Sequence, residues 1–206
     1  MTARRTTALL LLLTLLTACT EGGTRETSPA PAPSPTAAAP SAHPTDSAWL
    51  QLMIPMNEAA VALLDLAAMK ATGPRLPVWA ARLRASQAAE LTALRGLRDR
   101  MGLPDTDVHE GHDMPGMVTA EDLDDARDAE GTAFDRLLVA RLHDHLLRSA
   151  EVSRSETTAG SSAEARERAS TLVTARGKQL AELTALCADR AADVPEPFAC
   201  PRDHPV

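Results

Sequence analysis

The chain has 206 residues, of which 44% are hydrophobic and only 2% aromatic, and its formal net charge is −7. That length holds one domain of ordinary size plus flanking segments. The negative balance argues against nucleic acid and against purely electrostatic attraction to an anionic membrane surface, and it is compatible with holding cations.

In chain order, the first segment reads as an export signal over residues 1–18. Arg4 and Arg5 supply positive charge, residues 8–16 are an apolar run, and the segment ends at Leu16-Thr-Ala-Cys19. The run is too short for a permanent membrane span, and the small residues before Cys19 resemble a bacterial lipobox. The reading is therefore a lipoprotein cut before Cys19 and lipidated on its thiol, with an ordinary secretory signal as the alternative. Acyl chains contribute roughly 0.8 kcal/mol per buried methylene, enough for stable anchoring when two or more are present. The expected partner at this end is the membrane, and the expected location is the cell membrane, facing outside the cytoplasm. Removing Arg4 and Arg5 takes the charge from −7 to −9.

Residues 19–45 follow as a lipidated cysteine and a Pro/Ala/Ser/Thr linker that cannot bury apolar surface. Fully extended at roughly 3.1 Å per residue, it reaches about 80 Å.

Residues 46–192 carry apolar residues at helical spacing and no convincing period-two strand. A first helix fits residues 46–71, with Asp46 or Ser47 as its cap and Gly73-Pro74 as its stop. A second runs over 77–101 and stops at Gly102 and Pro104. A third starts at a capping box, Thr119 with Asp122, and continues to about residue 156 across an irregularity at Gly131. A fourth covers 163–192. The expected fold class is all-α, a four-helix bundle. Gln87-Ala-Ala-Glu-Leu-Thr-Ala-Leu94 recurs as Gln179-Leu-Ala-Glu-Leu-Thr-Ala-Leu186, seven identities in eight positions at a period of 92. The bundle therefore reads as two duplicated helical hairpins.

A tail over residues 193–206 closes the chain. With Cys19 lipidated, Cys187 and Cys200 remain, thirteen positions apart. In an exported protein they read as a disulfide tying the tail to the last helix, worth about 3 kcal/mol in the chain-entropy model. Two free thiols assisting a metal are the alternative.

Chemistry concentrates between the halves, in His109-Glu-Gly-His-Asp-Met-Pro-Gly-Met117. Imidazole suits copper and zinc, and thioether sulfur selects Cu(I) among common ions. His109, His112, Met114 and Met117 are the candidate ligands, with copper the expected ion and Cu(I) favoured over Cu(II). No catalytic arrangement is visible: no glutamate stands three before a histidine, and no phosphate loop is present. The chain reads as a non-enzyme, and the sequence names no protein partner.

With these residues in view, the chain resembles the DUF305 family of exported, ferritin-like helical bundles associated with copper. The carriers are Met53-Ile-Pro55, the two Gln-x-x-Glu-Leu repeats, Phe134-Asp-Arg136 and the His/Met loop. The resemblance implies a ferritin-like bundle with a His-His pair after Met-Ile-Pro and another on the third helix. Here Met56 and Asn57 replace the first pair, and the second reduces to His145 followed by Leu146, with His143 two places upstream. Residues two apart on a helix point about 200° apart, so His143 and His145 do not share an ion readily. Met56 and His145 are a second candidate ligand set. The functional expectation is a membrane-anchored copper-binding lipoprotein that captures or buffers the ion through the loop. The alternative is a helical scaffold that has lost its metal.

Overall fold

The structure, a computed structural model, describes residues 43–109 and 111–193, with side chains to residue 188. The signal segment, Cys19, nearly all of the linker, and Cys200 with its tail lie outside the described residues. The described chain is all-α: α1 (Pro44–Lys70), α2 (Leu76–Arg100), α3 (Ala120–Asp128), α4 (Gly131–Ala159) and α5 (Ala163–Asp193). Helix α1 packs on α2 and α4, and α4 on α5, so four long helices form the bundle and α3 rides on the α1–α4 side.

The local signals explain most boundaries. Helix α2 ends with Gly102 at φ +66°, and Gly102 N–H bonds to Asp99 O at 3.1 Å while Leu103 N–H reaches back to Arg98 O at 3.1 Å. This is a Schellman closure, which needs a left-handed residue that glycine supplies without strain. The capping box is present as read: Thr119 Oγ1 accepts from Asp122 N–H at 3.1 Å, and the Asp122 carboxylate accepts from Thr119 N–H at 2.9 Å.

Two expectations are corrected. The third helix is not continuous but breaks at Ala129–Glu130, and α4 restarts at Gly131 with φ +57°. Lys70 stitches the break, donating to the carbonyls of Arg127 and Ala129 and to the Glu130 carboxylate. Nor does Asp46 or Ser47 cap α1. His43 does, with Pro44 and its fixed φ in the first helical turn. Asp46 lies inside the helix, 1% exposed.

Apolar packing falls into two clusters. One joins Leu63, Leu64, Trp79, Leu83, Phe134, Leu138, Leu142 and Leu183. The other joins Trp49, Leu50, Met53, Met56, Leu94, Leu97, Ala169 and Leu172. On length and composition alone α1 could cross a membrane, yet Trp49, Leu50, Met53, Leu63 and Leu64 are buried inside the bundle. Between the clusters, at one level on four helices, lies a buried polar layer: Asn57, Gln87, His145, Ser149, Arg176 and Gln179, with Glu90 at its edge.

Candidate metal centre

The loop from residue 103 to residue 119 is held at both ends. Met101, Leu103 and Met117 pack against the second apolar cluster, and Val118 is buried in the first. Between these anchors the backbone makes two successive turns. His112 N–H donates to His109 O at 2.9 Å, and Met117 N–H donates to Met114 O at 3.0 Å. Each turn has a glycine in its third position, Gly111 at φ +75° and Gly116 at φ +77°. Pro115 holds the second position of the later turn, the pattern of a type II turn. A β-turn brings its first and fourth residues within about 7 Å between Cα atoms. The ends of the first turn are the two histidines, and the ends of the second are the two methionines. The imidazoles are thus paired by one turn and the thioethers by the next.

The second turn is pressed against α4. A Cβ on Gly116 would stand 2.6 Å from Arg148 Cγ and 2.9 Å from Asp144 O. The first turn is open, with nothing within 4 Å of a Cβ built on Gly111. His109 N–H bonds to Asp107 Oδ1 at 2.8 Å, which fixes the entry to that turn.

All four loop candidates line one cleft of about 800 Å³. Seven carboxylates share its walls, those of Glu58, Asp107, Asp113, Glu121, Asp122, Asp125 and Asp144, against a single arginine, Arg141. Arginines offset the charge of two of these acids: Arg141 that of Asp122 at 2.7 Å and Arg95 that of Glu58 at 2.7 Å. The remainder give the cleft a negative field that raises the local concentration of cations. His112 is exposed, and His109, Met114 and Met117 are partly buried. Among the described residues, no group of three or more His, Cys, Asp or Glu side chains is gathered tightly enough to hold a metal ion. The cleft adds thioether sulfur from Met114 and Met117 to imidazole from His109 and His112, a donor set that fits copper.

The second candidate set is buried. Met56, 1% exposed, belongs to the apolar cluster with Trp49 and Met53, while His145, fully buried, belongs to the polar layer. Neither lines the cleft. Burial, and after it the positive charge of Arg176, hold the His145 ring well below the usual imidazole range, against a weaker pull from the Gly116 backbone. Its polar contact is with that Gly116 backbone, and no side chain hydrogen-bonds to either ring nitrogen. His143, on a different face of α4 from His145, is 7% exposed, with Asp144 Oδ1 3.7 Å from its Nδ1. Cys187 is buried beside Leu183 and Leu186, and its expected partner Cys200 lies outside the described residues.

Arg176 is the residue that sequence reasoning passes over. A signal for it exists: Arg84-x-x-Gln87-x-x-Glu90 recurs as Arg176-x-x-Gln179-x-x-Glu182. The two copies take different roles. Arg84 is on the surface with Asp65 at 2.6 Å, and Glu182 lies near Lys178 at 3.9 Å, whereas Glu90 and Arg176 turn inward and meet.

The profile of the domain of unknown function DUF305 matches residues 46–187. The chain belongs to the DUF305 family. Solved DUF305 proteins share its fold. One from Streptomyces coelicolor, named as a secreted protein, superposes with a TM-score of 0.64 at 16% identity, covering 71% of this chain and 94% of that one. A DUF305 fragment from Deinococcus radiodurans gives 0.65 at 15% identity, covering 71% and 97%. CopM in its Cu(II)-bound form gives 0.60 at 19% identity, covering 70% and 97%. No curated protein matches the chain by sequence. At these identities the likeness concerns the fold, and the DUF305 chain's own residues must carry any functional argument.

Proposed function

We propose that this DUF305 protein is a lipid-anchored copper-binding protein that captures or buffers the ion outside the cytoplasm. The observation that carries the reading is the pair of successive turns, which presents two imidazoles and then two thioethers on the wall of one acidic cleft. The carboxylates draw the cation in, the His109/His112 turn offers borderline donors, and the Met114/Met117 turn offers soft donors on the same cleft. The Cu(II)-bound state of CopM, a protein of the same fold, supports copper as the ion. The export signal and Cys19 support the compartment and the anchor, and the pairing of Cys187 with Cys200 belongs to the same proposal. We assign no catalytic step.

The test is a titration of the chain lacking its first 19 residues with Cu(I) against a competing chelator. The His109/His112/Met114/Met117 quadruple alanine variant runs beside it. One equivalent bound by the parent and lost in the variant is the expected result. Binding retained in the variant would move the site to Met56 and His145, and no binding by either protein would remove the copper reading. A second reading, a helical scaffold without metal, is favoured by one observation: Asn57, which replaces a family histidine, is committed to Arg176 and Glu90.

A further inference from the structure

One side chain joins all four long helices. Arg176 on α5 is fully buried, and each of its five N–H donors is used. Nε donates to Ser149 Oγ on α4 at 2.7 Å. One terminal nitrogen donates to Glu90 Oε2 on α2 and to Gln179 Oε1, both at 3.0 Å. The other donates to Glu90 Oε1 at 2.5 Å and to Asn57 Oδ1 on α1 at 3.1 Å. Asn57 closes the ring by donating to Glu90 Oε1 at 2.8 Å. A buried charge costs several kcal/mol unless it is paired and its remaining hydrogen-bonding capacity is met. A guanidinium with five satisfied donors and a bidentate carboxylate meets both conditions.

Without the arginine, the same place has a different character. One carboxylate, two amide oxygens and a hydroxyl converge on the guanidinium from four helices, and the buried imidazole of His145 stands close enough to feel its charge. Anionic and neutral oxygen donors directed at one point in a closed interior, with an imidazole nearby, are the makings of a cation site. The cation it holds is covalently part of the chain.

We propose that Arg176 is the resident interior cation of this bundle: it takes the place a metal ion would take, closes the interior to metals, and confines metal exchange to the loop cleft. The last clause rests on the copper reading above, and the first two do not. The charge of the core is balanced whether or not metal is present, so the fold is indifferent to metal supply.

The test uses the mature chain carrying the quadruple alanine loop, so that only the interior can respond, with Co(II) as the probe for its visible ligand-field bands. With Arg176 in place, Co(II) should neither develop bands nor move the melting temperature, and Arg176→Lys, which keeps the charge, should behave alike. Arg176→Gln should take up one equivalent of Co(II) with a rise in melting temperature, and adding His145→Ala should weaken that uptake at least tenfold. If Arg176→Gln is unfolded without metal, folding restored by Co(II) supports the proposal, and failure to fold at any Co(II) concentration overturns it. A folded Arg176→Gln that ignores Co(II) also overturns it, as does tight His145-dependent binding with Arg176 intact. Copper binding by the chain with its native loop is measured separately. Its absence would remove the loop reading and leave these outcomes untouched.

Discussion

Asp46 and Glu156 bring two buried carboxyl groups together where the start of α1, the end of α4 and the start of α5 meet, each 1% exposed. Asp46 Oδ1 accepts from Ser161 N–H at 2.8 Å and Oδ2 from Ser162 N–H at 3.0 Å, so it serves the entry of α5 rather than its own helix. Burial, followed by the hydrogen bond and charge of Asp46, pushes Glu156 up to about 8, with Arg166 acting weakly the other way.

This pair makes stability depend on pH in a defined direction. Glu156 is protonated when folded and ionised when unfolded between its ordinary value of 4.5 and about 8. The folded state then binds more protons, so the Glu156 contribution is fully present below pH 4.5 and is lost as pH rises towards 8. Glu156→Gln should flatten the fall in melting temperature over that range and leave the variant more stable than the parent at pH 8. Parallel curves for the two proteins would refute the assignment.

Gly160 permits this contact. A Cβ there would run into the Glu156 side chain and stand 2.7 Å from Glu156 O. Gly160→Ala should cost about 1–3 kcal/mol, the range for overpacking a filled site, and denaturant unfolding would measure it.

In the polar layer, Arg176→Met should destabilise the bundle by about 3–5 kcal/mol, because it strands the Glu90 carboxylate. Arg176→Met with Glu90→Leu should recover most of that loss, since an apolar pair of similar volume leaves no unpaired charge. Equal loss in single and double variants, read from urea midpoints, would show that the charge pairing is not what matters.

The two loop glycines should respond differently. Gly111→Ala meets only backbone strain, about 1–2 kcal/mol for a left-handed residue. Gly116→Ala meets the same strain and also the Arg148 side chain and Asp144 O. Gly116→Ala should therefore lower copper affinity at least tenfold while the far-UV dichroism stays helical, and Gly111→Ala should lower it less. The reverse order would place the binding geometry in the first turn.

The two turns should also divide by ion. His109→Ala with His112→Ala should weaken Cu(II) more than Cu(I), and Met114→Leu with Met117→Leu should do the opposite, because thioether is the softer donor. Competition titrations in both oxidation states decide this, and identical losses would mean that all four side chains serve one undivided site.

Much of this was legible in the chain. Gly73-Pro74, Gly102 and the Thr119/Asp122 box act within a few residues, so their effect on helix ends can be read locally. The four loop candidates were visible for the same reason, as donors spaced around glycine-containing turns. The break before Gly131 was less so, because Ala129 and Glu130 are helix formers and the carbonyls of Arg127 and Ala129 are tied down by Lys70, about sixty residues earlier. Asp46 reads as a cap until the distant Ser161 and Ser162 are known to claim it. Arg176 and Arg84 occupy matching places in a repeated motif, and nothing local distinguishes the one that is buried. That choice is made by Glu90 and Asn57, which reach Arg176 only after the helices assemble.

The position of Arg176 between two apolar clusters also bears on how the helices choose their alignment. Helices rich in alanine and leucine present nearly repeating surfaces, and sliding one past another by a turn, about 5.4 Å, exchanges one small apolar contact for the next at little cost. Here such a slip would pull the guanidinium from Glu90, Asn57 and Ser149 together and leave a charge in hydrocarbon. One polar key thus gives a smooth lock a single closed position, as one buried polar residue sets register in a coiled coil.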